Sequence, residues 1–397
     1  MNRLALYKTI KKTTLVSVLI ILVSLSFSVS IVQAIEVIAT IPVGSGPMGV
    51  AYDSGKNEIF VANGDNTVSV ISDLSNSVVA TISLPSSSLS PIDLVYDSGK
   101  GEIFVVNNPG ELGMFTSSTV TVISDTNNSV ITTISLGFNR VVGIAYNSAK
   151  GEIMVASQNP GGPVSIISDT SNGIISTVLV GGHPQGIVYD FGVGETFVST
   201  EGDTTSWVAV ISDNTNTVIA NVTVDNVPLG LAYDFGKGEI FVASVSTPDL
   251  NSLLNPNVAV SVISDKSNTV VATVPMPIAT VHLTYDSQQS QIFATYAGES
   301  NVTSIISDNT NMIIANVTVP NSYLQQLAYD SGRNEVFLTN PSNDTVTVIS
   351  GLPTPPVTNS PTAASPSSTV PEFSWLMILP LFIFTLSIVI LIRKRKD

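Results

Sequence analysis

The chain has no cysteine and only two histidines and two tryptophans in 397 residues. The missing thiols exclude disulfides, cysteine-ligated zinc, iron–sulfur clusters and thiol nucleophiles together. Two histidines leave little material for a histidine-based metal site, so neither metal nor cofactor is expected. Positive charge is also scarce, with 15 Lys and Arg against 30 Asp and Glu. Eight of those bases sit at the chain ends: Arg3, Lys8, Lys11 and Lys12 at one, Arg393, Lys394, Arg395 and Lys396 at the other. Between residues 35 and 350 there are 28 acids and 7 bases, a net charge of −21. Phosphate binding needs clustered Lys and Arg, so a nucleic-acid partner is excluded for this middle region. Only 11% of residues are charged and 44% are apolar, which sets the chain apart from disordered acidic polymers.

The two ends read as membrane signals. Residues 1–34 carry a basic start, an apolar run from Leu15 to Val32, and the small-residue stretch Val32-Gln33-Ala34. That order is an export signal, cleaved near Ile35; an uncleaved anchor is the alternative. Residues 351–373 form a Pro/Ser/Thr-rich stalk that cannot bury a core. Residues 374–392 are uncharged and, at about 1.5 Å per residue, reach roughly 28 Å, enough for a transmembrane helix. The basic tail 393–397 then lies in the cytoplasm and the body lies outside the cell. The stalk, Pro371-Glu372-Phe373, the apolar span and the tail Arg393-Lys394-Arg395-Lys396 together resemble PEF-type C-terminal sorting signals of archaeal surface proteins. That resemblance implies an archaeosortase partner that removes the span. A permanent single-pass anchor is the other reading.

The middle is one phrase repeated. Gly49-Val-Ala-Tyr52-Asp53-Ser-Gly-Lys-Asn-Glu-Ile-Phe-Val-Ala-Asn63 returns with its tyrosine at Tyr52, Tyr96, Tyr146, Tyr189, Tyr233, Tyr285 and Tyr329. A second phrase, Thr67-Val-Ser-Val-Ile71-Ser72-Asp73, and a third, Val78-Val-Ala-Thr-Ile82, recur with it. Each is short, β-branched and bounded by Asp, Ser, Gly and Asn turns. A repeat therefore supplies four strands: A (Gly-Val-Ala-Tyr), B (Glu-Ile-Phe-Val), C (Val-Ser-Val-Ile) and D (Val-Val-Ala-Thr-Ile). Four antiparallel strands at this period predict an all-β fold, a single seven-bladed β-propeller of four-stranded blades. A D-like phrase, Val37-Ile-Ala-Thr-Ile-Pro-Val43, precedes the first A strand, and none follows Ile349. The N-terminal strand is thus expected to complete the last blade, which removes both open edges.

This pattern is similar to the YVTN family of β-propeller repeats, known from archaeal surface-layer and secreted bacterial proteins. The family's Tyr-Val-Thr-Asn stands here as Phe60-Val-Ala-Asn63, Phe104-Val-Val-Asn107 and Phe337-Leu-Thr-Asn340. Its link is nearly intact at Ile41-Pro-Val-Gly-Ser-Gly-Pro-Met-Gly-Val-Ala51. The resemblance implies the fold over residues 36–350 and leaves function open.

The A–B and C–D turns hardly vary, because Asp, Gly and Asn supply their geometry; carboxylates such as Asp73 and Asp125 read as turn formers. The opposite face carries the B–C loops and D-to-A links, where the repeats diverge. Its distinctive groups are Arg140, His183, Trp207 and Tyr323, the candidate ligand-binding set. Extra residues fall in the loops 107–119 and 245–257. Sequons at Asn127, Asn221, Asn301, Asn316 and Asn343 are glycosylation candidates in an exported chain, with Asn221 and Asn316 on outer D strands. No Gly-x-Ser-x-Gly, His-Glu-x-x-His or Walker loop occurs. His282 replaces glycine in a degenerate link. The expectation is a membrane-anchored cell-surface module, not an enzyme, that binds a surface protein or glycan on the B–C loop face. The alternative is a lactonase-like propeller hydrolase or lyase with Glu111, Glu201, Asp203 or Asp249 near the channel mouth.

Overall fold

The computed structural model describes residues 35–85, 89–109, 116–245, 258–298, 300–319 and 326–350. The signal, stalk, span and sorting motif expected from the sequence lie outside these residues, as do Tyr323, Glu111 and Asp249. Among the described residues, twenty-eight strands form seven four-stranded antiparallel sheets. In blade 1 strand A is Pro47–Asp53, B is Glu58–Asn63, C is Thr67–Ser72 and D is Ser77–Ser83. The other blades repeat this order, with successive A strands meeting around the central axis.

Burial explains the sequence pattern. B and C strands are sandwiched between neighbouring blades, so Ile59-Phe60-Val61-Ala62 is wholly buried and reads as a continuous apolar run. D strands lie at the rim, and Ser77–Ser83 alternates between exposed and covered positions. Phe60, Phe104, Phe197, Phe241, Phe293 and Phe337 occupy one equivalent place in six B strands with no exposure; Met154 takes it in blade 3. Truncating Phe241→Ala is expected to cost about 3–5 kcal/mol, and Met154→Ala a value in the lower part of about 2–5 kcal/mol. Denaturant midpoints of the two variants check the order.

Closure follows the sequence expectation. Blade 7 takes strands A (Leu327–Asp330), B (Glu335–Asn340) and C (Thr345–Ser350) from the C-terminal end and Val37–Pro42 as its D strand. Ala39 lies opposite Val348, and Ile41 opposite Val346. The Ser350 amide donates to the Glu36 carbonyl at 3.0 Å. Ser350 is also paired with Glu335, which follows the A–B turn. The strands therefore enter and leave the disc on the turn face.

The near-constant turns have a backbone cause. The residue before each B strand (Asn57, Gly101, Gly151, Gly194, Gly238, Ser290, Asn334) has a positive φ, between 56° and 72°. That left-handed region admits Gly and Asn most readily. Asp53 Oδ1 accepts from the Gly55 and Lys56 amides at 2.8 and 3.1 Å, and Asp97, Asn147, Asp190, Asp234, Asp286 and Asp330 repeat the contact. The same aspartates latch the blades together. The hydroxyl of the next blade's tyrosine lies beside them: Tyr96 by Asp53, Tyr146 by Asp97, Tyr233 by Asp190, Tyr285 by Asp234, Tyr329 by Asp286 and Tyr52 by Asp330, although Tyr52 and Tyr329 donate to Asn57 and Asn334 of their own blades at 3.0 and 2.8 Å. The fit is looser than a standard hydrogen bond, since Oδ2 of Asp53 and its equivalents has no partner of strict geometry. Blade 3 has Asn147 instead, and there Tyr189 donates to Asp213 at 2.9 Å. Burial and the nearby carboxylates push these tyrosines well above the ordinary phenol range.

One sequence reading needs correcting. The C–D carboxylates are more than turn formers. Lys56, Lys100 and Lys237 reach Asp125, Asp169 and Asp308 of the next blade at 3.7, 3.9 and 3.8 Å, each also donating to the aspartate's carbonyl. The few bases of the disc are thus used mainly between blades.

Candidate functional site at the channel mouth

The A strands line a channel along the axis, and their inner edges have no strand beside them. At the position nearest the axis, glycine stands in four blades: Gly49, Gly143, Gly186 and Gly230. The reason is close approach. A Cβ on Gly49 would lie 2.6 Å from the Asp93 Cα, on Gly186 2.6 Å from the Leu229 carbonyl oxygen, and on Gly230 2.6 Å from the Val281 carbonyl oxygen. Blades 2, 6 and 7 break the rule with Asp93, His282 and Gln326. All three line a cavity of about 190 Å³ on the axis. A second space of about 280 Å³, nearer the loop face, shares Val142, Gln185, Gly230, His282 and Gln326 with it. The two adjoin at these shared residues.

The polar groups satisfy the open strand edges. The Val50 amide donates to Gln326 Oε1 at 3.3 Å, and the Leu94 amide to Asp93 Oδ1 at 2.8 Å. Asp93 also accepts from the Ile144 amide and from the Gln326 side chain, which reaches it across Gly49. Desolvation outweighs these donors and raises Asp93 to about 7. Burial alone lowers His282 to about 4, so its ring is neutral at physiological pH. At the mouth, Gln158 Nε2 donates to Gln185 Oε1 at 2.8 Å and Gln185 Nε2 to Glu201 Oε2 at 2.9 Å. This polar rail joins two B–C loops to the channel.

The sequence-derived candidates are scattered by comparison. Arg140 is exposed, has φ 56°, and its carbonyl accepts from the Gln158 amide at 2.9 Å. His183 is exposed at the start of its A strand, opposite Glu201. Trp207 is partly buried rather than freely exposed. Its indole packs against Gly181, Gly182 and Gly202, with a Cβ on Gly202 falling 2.5 Å from the ring, and it joins an inter-blade core. Asn127, Asn221, Asn301, Asn316 and Asn343 are all exposed, and Asn221 and Asn316 stand on rim strands Thr217–Val224 and Met312–Thr318. Asn316 additionally accepts from Ser304 Oγ. Sequence reasoning missed Asp93 and Gln326; aligning the seven A strands and asking which depart from glycine would have found them. Among the described residues no group of three or more His, Cys, Asp or Glu converges to hold a metal.

The described region is a seven-bladed β-propeller. Neither a family model nor a curated protein matches the chain. The shape is common among solved structures, with 1805 matching chains, so shape alone selects no function. One of these, a chain of the crystal structure of the mitotic checkpoint complex, is similar with a TM-score of 0.66 at 13% identity. It covers 81% of this chain and 94% of its own. A likeness at that identity supports the fold and nothing finer.

Proposed function

We propose that the protein is an exported cell-surface propeller of the YVTN type, held at the membrane by its C-terminal segment. It recognises a surface protein or glycan on the B–C loop face. The observation that carries this reading is where the strands enter and leave. Both ends of the disc, Glu36 and Ser350, meet on the turn face. The opposite face keeps its divergent links, Arg140, His183 and the Gln158–Gln185–Glu201 rail clear of them. The structurally similar chain from a protein complex supports protein recognition as a use of this fold. Exposed sequons suit a glycosylated exterior. The Pro371-Glu372-Phe373 segment and basic tail suit archaeosortase processing.

Mass spectrometry of the native protein is expected to find glycan on Asn221 or Asn316 and to locate the C-terminal end near Phe373. A glycan array and envelope extracts probed with Arg140→Ala/His183→Ala are expected to show at least tenfold weaker capture than wild type, while Lys56→Ala on the turn face leaves capture unchanged. The opposite pattern overturns the reading. A second reading, a propeller hydrolase or lyase, draws on the presence of Asp93 and His282 in the channel. Lactone turnover that disappears in Asp93→Asn would favour it.

A further inference from the structure

We propose that the axial cavity is a binding site for a small primary ammonium compound, with Asp93 as its counter-ion. The site is distinct from the macromolecular face above it. Among the described residues, Asp93 and His282 are the only ionisable side chains that line the cavity, and no Lys or Arg does. Asp93 has hydrogen-bond donors around it, from Leu94, Ile144 and Gln326, yet no cation. His282 stays neutral. The one charge the cavity can carry is therefore negative, which excludes an anionic ligand.

A multivalent metal ion is a poor fit. Hard cations want several carboxylate or carbonyl oxygens at short range, and Asp93 is the one carboxylate among the described residues of the lining. An ammonium head asks for less: one opposite charge and three acceptors. The unpaired inner edges of the A strands offer backbone carbonyls beside the ring position, among them those of Ile92 and Val281, which closely approach Gly49 and Gly230. A volume of about 190 Å³ equals roughly six waters at about 30 Å³ each. That is larger than a bare ion and suits a head with one to three carbons.

Binding must ionise Asp93. The carboxyl gives its proton to the buffer as the ammonium, still protonated, enters beside it. Because burial holds Asp93 near 7, affinity rises with pH through that value. Among the described residues His282 is the one other titratable group facing the cavity, and it titrates well below this window.

Calorimetric titration of the full chain in detergent with methylammonium and ethanolammonium tests the assignment. Saturable one-to-one binding is expected at pH 8, about thirtyfold weaker at pH 5.5 as the ionised fraction of a group near 7 falls. Asp93→Gly, which installs the residue four other blades carry, and Asp93→Asn are expected to weaken binding at least tenfold. Melting curves establish that the variants fold. If neither folds, the wild type still decides: titrations at pH 7 in two buffers of different ionisation enthalpy should show release of about half a proton per ligand. No saturable binding of either amine at pH 8, equal binding of acetate, unchanged affinity in folded Asp93→Gly, or no proton release would each overturn the proposal.

Discussion

Deleting Val37–Pro42 is expected to abolish the native fold rather than trim one strand from it. The segment is the outer strand of blade 7, paired along Thr345–Ser350. Its Ile41 is 2% exposed and packs with Val50, Ile59, Phe337, Val346 and Val348, side chains drawn from blades 1 and 7. Ile41→Ala alone should cost about 2–5 kcal/mol, against a total stability of only about 5–15 kcal/mol for a typical domain. Removing the whole strand also leaves the edge of Thr345–Ser350 unpaired, a template for association with other chains. The truncated protein should lose its cooperative melt and elute as aggregate in size-exclusion chromatography. A synthetic peptide covering residues 35–43, added during refolding, should restore a monomer with a cooperative transition. A truncated monomer melting close to wild type would show that the strand is dispensable.

That strand shows why the fold was so readable in the sequence. A repeated four-phrase unit with one phrase missing at the C-terminal end and present at the N-terminal end has one economical solution: ring closure. The turns were readable because left-handed backbone positions such as Asn57 and Asn76, with φ of 58° and 48°, leave a compositional mark. The site was less legible for a physical reason. The ring residues Asp93, His282 and Gln326 are far apart in sequence, and only closure of the disc brings two of them, Asp93 and Gln326, together across Gly49. Each also sits where a neighbouring blade has glycine, so each reads as a degenerate repeat rather than a signal. Trp207 was legible only in part. A rare, large aromatic beside variable loops suggests a ligand platform, and the structure adds that it is partly buried against three glycines.

The same repetition explains the uneven chemistry of the two faces. On the turn face, every blade offers the same Asp, Tyr and Glu, so inter-blade contacts repeat around the ring with local exceptions at Asn147 and Gln291. A surface tied down seven times over by its own scaffold has little freedom to vary. The loop face carries no such duty, and variation collects there.

Acidification from pH 8 towards pH 5 is expected to raise the melting temperature of this protein. Among the described residues twelve carboxyl groups are pushed upward, with desolvation the largest cause in every one. A carboxyl with a raised folded-state value holds its proton while the unfolded chain has already released it. Between the unfolded value and the folded one, the native state therefore binds more protons, and stability increases as pH falls. Asp93 has the widest window, from about 4 up to about 7. At about 1.4 kcal/mol per unit its ceiling is about 4 kcal/mol, and water in the channel lowers that to about 2 kcal/mol. His282 opposes the trend, because its folded value near 4 lies below the usual 6.5 and costs stability as pH falls between those values. One imidazole stands against twelve carboxyls, and protonation also relieves repulsion within a body of net charge −21. Melting curves from pH 4.5 to 8.5 should slope downward with rising pH, and Asp93→Asn should flatten the slope most between pH 5 and 7. Added sodium chloride should raise the melting temperature more at pH 8 than at pH 5, since screening matters only while the carboxyls are charged. A melting temperature that rises with pH across this range would show that water reaches these carboxylates freely and that burial does not govern their titration.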